Sequence, residues 1–257
     1  MLTGIDHLVI VVADLDTARK SYEALGFTVV PGGRHPIGSH NALIAFDDGA
    51  YLELIAFFEP NPAHRWYQRL QQGEGLVDLC MRTDDLGADR ERLRAAGVAM
   101  GEPRPLSRVR PDGYELRWTL AIPEGPAAGV APFLIADETP REERVPRQRT
   151  HDNGARGIDG VTLAVGADRL AAARAWYRTA VGADGREIRR ADVGGAGMRF
   201  AVGPHAVDLV APDGPDGALD EWLRRRGASP FAATLRAGAP GRALDSTLAR
   251  GARLALV

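Results

Sequence analysis

Long hydrophobic runs are missing from this sequence. None approaches the roughly 18 consecutive apolar residues that a membrane span requires, so no transmembrane helix is expected. Cysteine is nearly absent. Cys80 stands alone, which excludes an internal disulfide and any multi-thiolate metal centre. Lysine is equally scarce: Lys20 is the only one among 32 basic residues, so the other 31 are arginines. Dispersed along the chain, these read as solvated surface. A net charge of −2 carries no positive excess, so neither nucleic acid nor an acidic membrane is expected as a partner. There is no Gly-rich phosphate loop and no nucleophile elbow. The opening MLTGIDHLVIVV lacks the basic region and cleavage site of a signal peptide, and a cytoplasmic location is the expectation.

What is present is an ordinary globular balance, 45% hydrophobic and 26% charged, over 257 residues. Residues 4–12, GIDHLVIVV, are β-branched and apolar and read as a largely buried strand. Asp14 occupies a helix N-cap position before LDTARKSYEALG, in which Leu15, Ala18, Tyr22 and Leu25 fall at helical spacing and Gly26 supplies the stop. FTVV, HNALIAF and YLELIAF follow as short strands, with a turn at the DDG of 47–49. This β-α-β-β-β order recurs. At an offset of 71, Asp14 meets Asp85, Leu15 meets Leu86 and Gly26 meets Gly97. Strands are expected near 98–104, 115–122 and 132–136. A third copy opens at Gly157-Ile158-Asp159-Gly160, an offset of 153, with strands expected near 184–190, 197–203 and 206–210. A shortened fourth comprises PFAATLR, a helix around ALDSTLARG, and ARLALV. One such unit cannot bury both faces of its sheet, so copies should pair, within or between chains; a homodimer is one outcome. The expected organisation is an N-terminal pair over 1–136, a charged surface linker over 137–156, and a degenerate C-terminal pair over 157–257.

The blocks GIDHLVIVVADLDTARKSYEALGF and GSHNALIAFDDGAYLELIAF, together with HRWYQRL, PDGYELRW and GIDGVTLAV, resemble the vicinal oxygen chelate superfamily, in particular its glyoxalase-like-domain proteins. The resemblance implies an α+β fold of tandem βαβββ modules: curved mixed sheets with helices outside and a cup on the concave face. It also implies a divalent metal held by the first and last strands of each module. Carried over by position, these ligands are His7 and Glu53 in the first module. In the second they are Asp78 and, at the last-strand position, Phe133, which cannot ligate. The third copy has Gly160 and Asp208 there, and the fourth has Ala232. The expected metal set is therefore His7, Glu53 and Asp78, suiting Mn, Fe, Zn or Mg.

Period-two alternation selects the cup-facing neighbours. His7 shares its face with Ile5, Val9 and Val11, Glu53 with Tyr51 and Ile55, and Asp78 with Cys80 and Arg82. An ionisable group on each of three apolar strands is costly unless it is compensated. Convergence on a metal, a polar substrate pocket, or ion pairing with Arg82 or Arg117 would each supply that compensation. Tyr51, His40, Arg117 and Phe133 are the candidate substrate-binding residues, Arg117 for an anionic group. Glu53 is the candidate catalytic residue. The reading is a metal-dependent lyase, isomerase or epimerase acting on a small oxygenated metabolite. The alternative is a metal-free protein that binds or sequesters a small molecule.

Overall fold

A computed structural model describes residues 1–238 and 241–257 of the chain. The first module is β1 (Leu2–Val11), α1 (Leu15–Ala24), β2 (Val30–His35), β3 (Ser39–Ala45) and β4 (Tyr51–Phe57). After α2 (Arg65–Leu70), the second is β5 (Gly75–Thr83), α3 (Leu86–Ala95), β6 (Arg104–Val109), β7 (Glu115–Ala121) and β8 (Phe133–Asp137). A short α4 (Arg141–Arg144) leads to the third: β9 (Ala155–Ala164), α5 (Leu170–Val181), β10 (Arg186–Arg190), β11 (Gly195–Val202) and β12 (His205–Pro212). The chain ends with α6 (Ala218–Arg226), β13 (Ser229–Ala237), β14 (Arg242–Ala243) and β15 (Leu254–Leu256).

The local signals act as their chemistry dictates. Asp14 accepts from Thr17 N and Asp85 from Ala88 N, each satisfying a free donor in the first turn of its helix. Gly26 follows α1 at φ +84°, where a side chain would be strained. Three expectations fail locally. The strand read at FTVV, 27–30, forms instead as β2 over Val30–His35. The strand placed near 98–104 forms at 104–109, because Gly101 and Pro103 suit a ladder poorly and Met100 makes only an isolated bridge to Pro123. ALDSTLARG forms turns rather than a helix. Asp245 starts one turn by accepting from Thr247 N and Leu248 N, but Arg250 and Gly251 have φ of +53° and +79°, which break it.

The first two modules close into one eight-stranded barrel, in the order β1-β4-β3-β2-β6-β7-β8-β5. β1 runs antiparallel to β5, with His7 opposite Cys80 and Val9 opposite Asp78. Each also pairs in parallel with the last strand of its own module. The remaining strands form a seven-stranded sheet, β10-β11-β12-β9-β13-β15-β14. The outward residues of the barrel strands, including Leu8, Ile10, Leu52, Leu54, Leu79 and Met81, share one core with Val161, Leu163, Tyr177, Leu209 and Leu235 of that sheet and its helix. A separate cluster fills the barrel interior: Val9, Val11, Ile55, Trp66, Val77, Cys80, Trp118, Leu120, Phe133 and Ile135, among others.

The barrel seam is a single register pair, Arg34 with Val109. Gly33 makes that approach possible: its φ is +145°, and a Cβ there would lie 2.0 Å from the Val109 carbonyl oxygen. Gly33→Ala is therefore expected to cost about 2–3 kcal/mol through positive-φ strain and the opened seam. Urea unfolding checks this; a loss below about 0.5 kcal/mol, the size of an ordinary surface change, would show that the seam adapts freely.

Candidate metal and ligand site inside the barrel

β1 does not keep strict alternation. Its register against β5 shifts between Ile5 and His7, so Asp6 is the extra residue of a bulge immediately before His7. β5 has its counterpart at Val77, which precedes Asp78. Both bulged residues therefore turn inward, where alternation assigned them to the helix side. Asp6 is fully buried and its Oδ1 lies 2.7 Å from His7 Nδ1. Arg144 from α4 donates to Asp6 Oδ1 at 3.0 Å, to Oδ2 at 3.1 Å and to the Tyr51 hydroxyl at 2.6 Å. It also pairs with Asp137, and Arg141 adds a contact to Asp6. Burial works against the Asp6 carboxylate, yet Arg144, the His7 hydrogen bond and Arg141 hold it well below the usual carboxylate range.

An ionised Asp6 accepts the Nδ1 proton of His7, which leaves Nε2 aimed at Glu53, 3.5 Å from Oε2. Glu53 is turned to face it by Asn41, whose Nδ2 donates to Oε1 at 2.6 Å. The His7 ring stacks on Tyr51 at 4.6 Å and meets Phe133 edge-on at 5.4 Å. The surrounding cavity holds about 620 Å³ of empty space, its mouth included. Its walls are Trp66, Trp118, Leu106, Leu120, Ile122 and Ile135; its polar end is His7, Glu53, Asn41, Ser39, His35 and Arg108.

Four of the expected site residues meet here: His7, Glu53, Tyr51 and Phe133. Three do not. Asp78 is buried but turned to other partners. Its Oδ2 accepts from Trp66 Nε1 at 2.8 Å and lies 2.9 Å from Arg65 Nη1, both at the start of α2, while Oδ1 accepts from Leu79 N. It is thus a structural ion pair, turned away from His7 and Glu53. His40 packs edge-on against Phe58 on the outside of β3, where alternation sends Ser39 and Asn41 inward instead. Arg117 is 62% exposed on β7; its neighbours Leu116, Trp118 and Leu120 are the inward ones. The arginine at the polar end is Arg108. It is 3% exposed, reaches Asn41 Oδ1 at 3.3 Å and the Arg144 carbonyl at 3.2 Å, and leaves Nε without a partner. The displaced second-module strand hid it, since Leu106 and Arg108 alternate inward along 104–109. Segment 137–156, read as surface, buries Arg144, Val145 and His151.

The cavity also contains two imidazoles that stay neutral. Burial pushes His35 down to about 4, with Glu53 opposing. Burial and Arg65 take His64 down to about 4 as well. Asp6, His7 and Cys80 offer ligand atoms within 4.8 Å of one another. That trio suits a metal poorly: Asp6 is taken by two guanidiniums, and burial raises the Cys80 thiol well above its usual range. The better donor pair is His7 Nε2 with Glu53 Oε2. Two ligands each about 2.0–2.2 Å from one ion lie about 3–3.5 Å apart, which is the spacing found.

A βαβββ pair closed into a barrel around a His–Glu pair defines a protein of the vicinal oxygen chelate fold. The chain belongs to the glyoxalase-like domain family, whose model matches residues 5–218. Solved structures share this fold at low identity. A hypothetical protein from Staphylococcus aureus is 15% identical with a TM-score of 0.69, covering 98% of each chain. A variant of 4-hydroxymandelate synthase from Streptomyces coelicolor is 17% identical with a TM-score of 0.62, covering 92% of this chain and 71% of that one. A xylose isomerase-like TIM barrel/4-hydroxyphenylpyruvate dioxygenase fusion protein is 16% identical with a TM-score of 0.56, covering 93% of this chain and 37% of that one. No curated protein matches the sequence significantly. No helix among the described residues is long and apolar enough to cross a membrane.

Proposed function

We propose that the barrel is the active site of a divalent-metal-dependent lyase, isomerase or epimerase, with His7 and Glu53 as its protein ligands. The observation that carries this reading is the 3.5 Å approach of His7 Nε2 to Glu53 Oε2. With Nδ1–H donating to the Asp6 carboxylate, the Nε2 lone pair faces a carboxylate oxygen. Such an arrangement is repulsive unless a proton or a cation lies between them. A bound ion would supply Lewis acidity toward neighbouring substrate oxygens.

The chain's own residues have distinct tasks in this reading. Asp6 fixes the His7 tautomer, and Arg144 fixes Asp6. Asn41 fixes Glu53 as a ligand through Oε2; swung off the ion, the same carboxylate would be the general base. The Arg108 guanidinium, with a free Nε at the polar end, suits an anionic oxygen of the substrate. Trp66, Trp118 and Phe133 keep water from its apolar part.

The second reading, metal-free binding of a small molecule, is favoured by Asp78 being committed to Arg65 and Trp66 and by Phe133 standing at a ligand position. Titration of chelator-treated protein with Mn²⁺ or Zn²⁺ separates the two. One equivalent should bind the natural chain, and Glu53→Gln, which keeps shape and removes charge, should weaken binding by more than the roughly 10–100-fold typical of losing a supporting residue. Absence of stoichiometric binding, or equal affinity in the variant, favours the sequestration reading.

A further inference from the structure

A second site, sharing no residue with the barrel cavity, lies in the crevice between the two sheets. It is bounded by residues 73–74 before β5, by α6, and by the turns of 246–253. Arg225, Arg226, Arg250 and Arg253 line it together with Ser246 and Thr247, and Arg69 of α2 adjoins it. The acids present are Glu74 and Glu221. The Glu74 carboxylate is already committed, 2.6 Å from Arg250 and accepting from Ala13 N at 2.8 Å. Among the described residues, Arg69, Arg225, Arg226 and Arg253 make no ion pair, so positive charge is left in excess.

Arg226 is the centre of this arrangement. It is only 5% exposed, and its Nη1 donates to the Glu74 carbonyl at 2.9 Å. Its Nε and Nη2 have no partner. Its guanidinium stacks on Trp222 at 4.8 Å. On the other side Arg253 lies over Phe231 at 4.6 Å. Stacking fixes the planes of both forks while leaving their N–H edges free for an acceptor. Burial, with Arg69 and Arg225 adding to it, pushes Arg226 down to about 10. Unpaired guanidiniums held together in this way lack a counter-charge with several acceptor oxygens. A monocarboxylate has two such oxygens and one charge; a phosphate group has more of both.

We infer that this crevice is a binding site for a phosphate group, joining α6 and the C-terminal turns to the barrel. The site is independent of the metal reading, since it shares no residue with the barrel interior. Its occupant is either free phosphate or the phosphate end of a metabolite. Bound phosphate should tie the two sheets together and raise the melting temperature.

The test is thermal unfolding of the full chain with inorganic phosphate or glycerol 3-phosphate, against sodium chloride and sodium acetate at matched ionic strength. A saturable rise with either phosphate compound, absent with chloride and acetate, is expected, and the tighter of the two identifies the source. Arg225→Glu and Arg253→Gln alter exposed side chains and so keep the fold. Each should weaken phosphate binding at least about tenfold, a single lost charge-assisted contact. A rise no larger than that given by chloride overturns the site. So does a phosphate response undiminished in both variants.

Discussion

Replacing Arg144 with methionine should destabilise the protein by about 3–5 kcal/mol, the cost of leaving buried carboxylates without their partner. Arg144 is 3% exposed and meets Asp6, Asp137 and the Tyr51 hydroxyl at once. Its removal leaves Asp6, which is fully buried, facing only His7 and Arg141. The same change frees the tautomer of His7, so metal affinity should fall together with stability. Asp6→Asn in the same chain removes the orphaned charge and should recover part of the stability but none of the metal affinity. Denaturant unfolding of the two single variants and the double variant measures the coupling. A single-variant loss below about 1 kcal/mol, the range of exposed pairs, would show that water reaches Asp6 and that the network is not a dry one.

Acidification should weaken the fold between about pH 6.5 and 4, through two buried imidazoles. Burial holds His35 at about 4, and burial with Arg65 holds His64 at about 4. The unfolded chain takes up those protons near pH 6.5, so across this interval the unfolded state binds more protons and stability falls as pH falls. Each unit of displacement corresponds to about 1.4 kcal/mol, giving about 3 kcal/mol for His35 and less for the more open His64. Below about 4 these two contributions level off. The loss belonging to Asp6 begins only below the ordinary carboxylate value of 3.8, because its folded value is depressed. Unfolding midpoints measured across this pH range test the sign. His35→Asn should flatten the slope by more than half of what these two imidazoles contribute. Constant stability from neutral pH down to about 4.5 would mean that the folded protein accepts these protons, and that the cavity is wetter than its walls suggest.

The modular fold was legible because it rests on local chemistry. Asp14 and Asp85 cap their helices, Gly26 ends α1, and the 71-residue offset aligns both first strands. His7, Glu53 and Phe133 were found because the resemblance carries ligand positions onto the first and last strands of each module, and Tyr51 because period-two alternation holds along β4. Their neighbours were lost wherever that period broke. Asp6 was hidden because a bulge turns an extra residue inward, and a bulge leaves no mark on hydrophobic alternation. Arg108 was hidden because β6 begins several residues later than its repeat position suggests.

What the sequence by itself determined is the βαβββ repeat and which half of the chain retains ionisable groups on its first and last strands. Those features follow from side-chain periodicity and capping within about 20 residues of one another. Only the tertiary structure decided how the ionisable groups are shared out. Asp78 and His7 occupy equivalent positions, yet α2 brings Arg65 and Trp66 over one of them, while Asp6 and Arg144 lock the other toward Glu53. A buried charge takes the nearest compensating partner, and which partner is nearest is set by segments remote in sequence: Arg144 reaches Asp6 across 138 residues.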